Sequence, residues 1–189
     1  MGDLELDTNF TGMVDVALNK EAKQSSLSSW SSDTYGACGA VASEYSRNSG
    51  FGFHTSNEMQ PWWQVDLMAN YPLEYIVLHN RRASVMHHRA RTIRVEVSVD
   101  EEDWQLVHAG AVFFDGSKNI SFRLPLAGQV TARFIRLSLD EKQYFHLFKV
   151  EAFAYEDNLK IAENDPRLLI TKNTLLDGKG RINIGILGT

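Results

Sequence analysis

The stretch Ile93-Arg94-Val95-Glu96-Val97-Ser98-Val99-Asp100-Glu101-Glu102-Asp103-Trp104-Gln105-Leu106-Val107-His108 decides the fold class. Ile93, Val95, Val97 and Val99 alternate with Arg94, Glu96 and Ser98. That period of two puts successive side chains on opposite faces of a strand with one side buried. Asp100 to Asp103 breaks the run with four acidic residues and reads as a turn. Trp104 to His108 then returns as a second strand.

The same texture extends outward. Leu73 to His79, Ile120 to Leu124, Phe134 to Leu139 and Phe148 to Tyr155 are further strand-like segments. Short strands punctuated by turns, with no long helical stripe, predict an all-β sandwich or barrel. Ser25 to Ala42 is rich in Ser, Gly and Ala, and reads as loop with one short helix. Trp62 and Trp63 are adjacent, so on a strand one fills the core while the other covers a sheet end or loop. Asp66 is expected to tie a turn. There is no internal repeat.

Composition narrows the function. The 189 residues include 43% apolar and 23% charged, an ordinary globular mixture that can bury a core without staples. One cysteine, Cys38, excludes a disulfide-stapled miniprotein and a Cys-rich zinc fold, and reads as a buried bystander. A net charge of −5 gives no general attraction to nucleic acid or to an anionic membrane. No apolar run is long enough to span a bilayer. Met1 to Asp7 is acidic and lacks the features of a signal peptide, and it makes a poor myristoylation site at Gly2.

Three zones differ in character: a polar lead at 1–12, a strand-rich domain at 13–155, and a tail at 156–189. Tyr155-Glu156-Asp157-Asn158 and Asn164-Asp165-Pro166 are polar breakers flanking one short helical segment. Asp177 to Thr189 opens with a turn signal and continues as a buried strand. The tail is therefore expected to be a linker leading into a following domain.

Local signatures line up in order along the strand-rich zone. They are Val16-Ala17-Leu18-Asn19-Lys20, Ala22-Lys23-Gln24-Ser25-Ser26, Phe53-His54-Thr55 and Pro61-Trp62-Trp63-Gln64-Val65-Asp66-Leu67. Then come Ile76-Val77-Leu78-His79-Asn80-Arg81, Ser98-Val99-Asp100 with Trp104, Arg133-Phe134-Ile135-Arg136-Leu137, and His146-Leu147-Phe148-Lys149-Val150-Glu151-Ala152-Phe153. Over about residues 14–155 the chain resembles the coagulation factor 5/8 type C (discoidin) family, in its fucolectin-like and carbohydrate-binding-module branch. The resemblance implies a jelly-roll β-sandwich of the galactose-binding-domain-like type, with a ligand site on loops at one end.

In fucolectin-like members the resemblance implies that one histidine and two arginines hold fucose. Arg81 lies 27 positions after His54 and follows Asn80, which matches the first arginine. The register of the next strand assigns the second role to Arg89, with His88 as the rival. The chemistry suits a sugar: a guanidinium presents a rigid fork of donors to neighbouring hydroxyls, and an imidazole can donate or accept. Leu27, Trp30, Phe51, Tyr144 and Phe145 are candidates for an apolar wall, with Trp30 and Tyr144 expected to be the most exposed. Phe53 is assigned to that wall or to the core.

The chain also departs from the family. Where many relatives carry a calcium-binding Asp-Gly, Ala42-Ser43 follows Ala40-Val41. The second acidic ligand position holds Lys149. Losing one carboxylate and gaining an ammonium should abolish a calcium site, with Lys149 replacing the ion and Glu44 as its partner. The adjacent cysteines of some fucolectins are replaced within Ala83-Ser84-Val85-Met86-His87-His88, which puts fucose specificity in question. No metal or other cofactor is expected, since adjacent histidines rarely share one ion. The leading reading is a non-catalytic module that binds a glycan and gains avidity by oligomerising or by tethering to another domain. The alternatives are a protein-interaction or adhesion module and a phospholipid-binding discoidin domain. No catalytic motif stands out.

Overall fold

In the computed structural model the described residues are 12–31, 36–43, 50–81, 84–90, 92–111, 114, 120–156, 174–176 and 182–184. The chain forms β1 (Met13–Asp15), β2 (Ala22–Gln24), β3 (Phe53–His54), β4 (Glu58–Met59), β5 (Trp62–His79), β6 (Thr92–Ser98) and β7 (Gln105–Ala111). It continues with β8 (Ser121–Leu139), β9 (Lys142–Gln143), β10 (His146–Leu147), β11 (Lys149–Tyr155), β12 (Thr174–Leu176) and β13 (Ile182–Ile184). Two short 3-10 segments, Gly36–Val41 and Ser84–Ala90, lie between strands.

The main antiparallel sheet runs β1-β11-β5-β8-β6-β7, with β2 also paired to β5. Its spine is the pairing of β5 with β8. Trp62 to Asp66 pairs with Phe134 to Ser138, and Tyr75 to His79 pairs with Ser121 to Pro125. Register shifts between Asp66 and Tyr71 and between Leu73 and Tyr75 separate the two arms. Met68 and Ala127 have positive φ beside these shifts, which bends the ribbon. One arm carries β2, β6 and β7; the other carries β11 and β1.

Folded face to face, the arms bury one apolar cluster. Trp63, Val65, Ile93, Val95, Ile135 and Leu137 come from the first arm, and Ile76, Leu78, Leu124, Val150 and Ala152 from the second. This is an all-β jelly-roll β-sandwich of the galactose-binding-domain-like type.

Most strand expectations hold, with instructive exceptions. Ile93, Val95 and Val97 are buried, but Val99 is 46% exposed because β6 ends at Ser98. There the Ser98 hydroxyl accepts from the Asp100 and Glu101 amides and starts the acidic turn. The Glu102 and Asp103 amides donate to the Asp100 carboxylate, holding it below its ordinary range. Ile120 to Leu124 and Phe134 to Leu139 are not separate strands: both lie along β8. Pro125, which has no amide proton, sits beside the register shift, where a missing ladder bond is tolerated.

Trp63 is fully buried, stacks on Phe53 and donates its indole N–H to the Ala37 carbonyl at 2.8 Å. Trp62 faces outward, and the Arg136 guanidinium lies against both it and Trp104. Asp66 accepts from the Met68 amide and from both arms of the Arg133 fork at 2.8 Å. Cys38 corrects its expectation: it is half-buried, on the Gly36–Val41 turn, and its Sγ accepts from the Ala22 amide at 3.3 Å. In the tail β12 pairs with β13, whereas the turn expected between them, the expected helical segment and most of the lead lie outside the described residues.

The strand that carries His54 is seated by close backbone packing. Gly52 donates to the Leu147 carbonyl at 2.7 Å. A Cβ on Gly52 would stand 2.3 Å from the Phe148 carbonyl oxygen and 2.6 Å from the Ala40 Cα. Neither backbone can yield cheaply. Gly52→Ala is expected to destabilise the fold by roughly 1–3 kcal/mol or more, read as a lower urea midpoint with an unchanged slope.

Candidate functional site

The site is assembled where the two-stranded β3–β10 pair meets the ends of β5 and the Ser84–Ala90 turn. β3 and β10 are antiparallel, with His54 opposite His146 and Phe53 opposite Leu147. The Thr55 amide donates to the Phe145 carbonyl, and the Phe145 amide donates to the Thr55 hydroxyl. These bonds fix which side chains face the loops and which face the core.

His54 is 3% exposed and lies within an aromatic cage. The Phe51 ring meets it edge-on at 4.9 Å, Tyr144 lies at 5.6 Å, and His146 is stacked at 5.2 Å. Its Nδ1 is 2.9 Å from the Thr55 carbonyl oxygen, so Nδ1 carries the proton and Nε2 of the neutral ring keeps a lone pair. Burial pushes the His54 pKa down; the Thr55 carbonyl opposes this, and the charges of Arg89 and Arg81 add to the depression. The imidazole is thus held as an acceptor.

Arg81 and Arg89 converge on this histidine. The Arg81 amide donates to the Asn80 side chain at 2.9 Å, and Asn80 is itself buried. The Arg81 guanidinium lies beside Gly50, with Nη2 3.8 Å from where a Cβ there would stand. Its Nε is buried with no hydrogen-bond partner among the described residues. The Arg89 guanidinium sits 4.9 Å from the Tyr144 ring centroid, a cation–π contact that orients it. His88, the rival for the second position, projects into solvent, and its neighbour His87 turns inward at 2% exposure.

The expected wall divides. Leu27 and Trp30 are 59% and 70% exposed, on a loop whose Ser28 amide donates to the His54 carbonyl. Tyr144 is half-buried and therefore not among the most exposed residues, because Arg89 and His54 cover its ring. Phe51 is 8% exposed behind His54. Phe145 is not a wall residue. It is fully buried against Phe53 at 5.0 Å, since it points to the side opposite Tyr144. Phe53 is core.

Two histidines of the site were not expected from sequence. His146 is fully buried, and neither ring nitrogen has a hydrogen-bond partner among the described residues. Burial, together with the positive charges of Arg81 and Arg89, pushes its pKa down to about 3. His87 donates from Nε2 to the Arg81 carbonyl. The hint of His146 in the sequence is a polar residue inside an apolar run, Phe145 to Phe148; His87 shows there as one of two adjacent histidines.

At the start of β11, Lys149 donates to Glu151 at 2.7 Å, and His79 contacts the other Glu151 oxygen at 2.7 Å. The His79 bond, reinforced by Lys149 against the effect of burial, lowers the Glu151 pKa to about 2. The expected partner Glu44 lies outside the described residues, as does the loop beyond Ser43; Ala42 itself is half-buried. A pocket of about 320 Å³ lies on the other arm, lined by Glu21, Lys23, Asp66 and Glu101 among others. Within it Lys23 pairs with Glu101, and Asp66 pairs with Arg133.

The His146 environment sets a pH signature. Its folded pKa, about 3, lies below the ordinary 6.5, so between those values the unfolded chain binds the extra proton. Stability is therefore complete above pH 6.5 and falls as pH drops towards 3, by about 5 kcal/mol over the window. In His146→Leu, urea midpoints between pH 4 and 8 are expected to show a shallower slope and a more stable fold at neutral pH. An undiminished slope would count against this account.

Comparison with known proteins places the architecture. The family model for the F5/8 type C domain matches residues 21–148. A fucose-binding module from Streptococcus pneumoniae is similar at 22% identity and TM-score 0.62, covering 75% of this chain and 98% of that one. The lectin domain of lectinolysin, solved with Lewis B antigen, is similar at 24% identity and TM-score 0.61, covering 75% and 96%. A fucolectin from striped bass (Morone saxatilis) serum is similar at 20% identity and TM-score 0.60, covering 75% of this chain and 47% of that one. No curated protein matches the chain. The family match spans more than half of the sequence, and the bent β5–β8 sandwich agrees with it: the chain belongs to the F5/8 type C domain family.

Proposed function

We propose that this protein is a non-catalytic, lectin-like module that binds a fucose- or galactose-type sugar through His54, Arg81 and Arg89. The functional unit in this reading is residues 13–155, carried within a larger protein. The observation that supports it best is the buried Nε of Arg81, without a partner among the described residues, beside an imidazole held as an acceptor. Unspent donors and one directed acceptor suit vicinal hydroxyls, which can accept and donate at once. The fucose-binding and Lewis B-bound relatives point the same way.

Phe51 and Tyr144 back the histidine, while Leu27 and Trp30 offer an apolar rim. Charge-assisted hydrogen bonds contribute roughly 1.5–3 kcal/mol each, and immobilisation offsets much of that. One monosaccharide then binds with a Kd on the order of 10 μM to 1 mM, and multivalent display raises avidity. Calcium has no part in this reading. Lys149 stands at an expected ligand position and is engaged by Glu151.

A second reading is favoured by the 70% exposure of Trp30 next to Leu27: insertion of these side chains into a phospholipid surface. A glycan array separates the two. Binding to fucosylated or galactosylated glycans, reduced at least about tenfold in Arg81→Ala, is the expected outcome. Silence on glycans, with binding to phosphatidylserine vesicles lost in Trp30→Ala, would replace it with the second reading. Millimolar calcium is expected to leave the Tm unchanged, and a rise of several degrees would restore an ion site.

A further inference from the structure

Arg81 is held by its backbone at both ends. The Asn80 carboxamide oxygen accepts from its amide at 2.9 Å, and the His87 Nε2–H donates to its carbonyl. The Asn80 amide donates in turn to the Ile120 carbonyl at 2.6 Å, which ties this pair to the residue just before β8. Asn80 is 1% exposed and His87 is 2% exposed.

His87 lies on the same 3-10 segment as Arg89, two residues before it. Its ring therefore bridges the backbone that carries one arginine to the turn that carries the other. A carbonyl only accepts, so the ring proton is on Nε2. Nδ1 is then left buried with no partner among the described residues. An apolar side chain of similar size would avoid that cost, so packing alone does not account for an imidazole here.

We propose that His87 is a positioning residue of the sugar site, a latch that fixes the spacing between the Arg81 and Arg89 guanidiniums. This rests on the sugar-binding reading above. Two side chains join the backbone that carries Arg81 to the turn that carries Arg89: Asn80, whose Nδ2 donates to the His87 carbonyl at a long 3.5 Å, and His87, whose ring makes the shorter bond, to the Arg81 carbonyl itself. The role calls for a donor at the Nε2 position, which Gln reproduces and Phe does not.

The test uses the full chain and titration with L-fucose and D-galactose. His87→Phe keeps a flat ring, larger than the imidazole, and removes the donor: it is expected to keep the fold while weakening binding about tenfold. His87→Gln is expected to recover most of that loss. Packing as the sole role predicts the reverse order, and Phe binding like the wild type would overturn the proposal. A ligand-free readout stands beside it: the ¹⁵N shifts of His87 should show the Nε2–H tautomer, and the Nδ1–H form would overturn the latch. If the wild type binds neither sugar nor any arrayed glycan, the sugar reading fails and the assigned role falls with it. If it binds and Arg81→Ala does not, while His87→Phe is unaffected, only the latch fails.

Discussion

The antiparallel pairing of β5 with β8 is the constraint on which the rest depends. Two strands of 18 and 19 residues run through both halves of the sandwich, so neither half can shift without the other. Because side chains alternate with a period of two, a slip of one residue would turn Trp63, Ile135 and Leu137 out of the core together. The bulges near Met68 and Ala127 absorb the bend, and Asp66 closes one of them with the Arg133 fork. The ends of these strands then set the platform: β5 ends at His79, and Asn80 and Arg81 leave it already aimed at β3 and β10.

At that platform the chain concentrates groups that a core normally avoids. His54, His87, His146 and Asn80 are all nearly or wholly buried, next to two guanidiniums. On His54 and His146 the burial and the positive charges act in the same direction, lowering the pKa of both imidazoles. Tyr144 orients Arg89 through its ring, and the backbone of Arg81 is clamped rather than its side chain. The Arg81 Nε, which has no partner among the described residues, carries no prior hydrogen bond there that a ligand would have to break.

Much of this was legible in the sequence, and the misses have physical reasons. Alternation in Ile93 to Val97 and the Trp62-Trp63 pair reveal strand faces because they depend only on local geometry. The spacing from His54 to Asn80-Arg81 indicates a site through family resemblance. The structure sets the two side by side, and Arg89 rather than His88 approaches Tyr144. Phe145 was misread because its direction depends on the reciprocal bonds with Thr55, far away in sequence. His146 was missed for the same reason: β10 is two residues long, too short to show a period, and its partner is β3. The continuity of β8 was hidden by Pro125 and Gly128, which look like breaks but sit at bulges.

The pairing of β1 with β11 has a consequence for how the domain is worn. Met13 stands opposite Tyr155, so the polypeptide enters and leaves the sandwich at neighbouring points on one edge. β11 runs from Lys149, beside the His146 end, to Tyr155, a distance of about 20 Å at an ordinary strand rise. The chain thus enters at residue 13 and leaves at residue 155 at a single mounting point, set back from the loops around His54. The domain can be swung on that mounting, or seated in a loop of a host protein, with the geometry around His54 undisturbed.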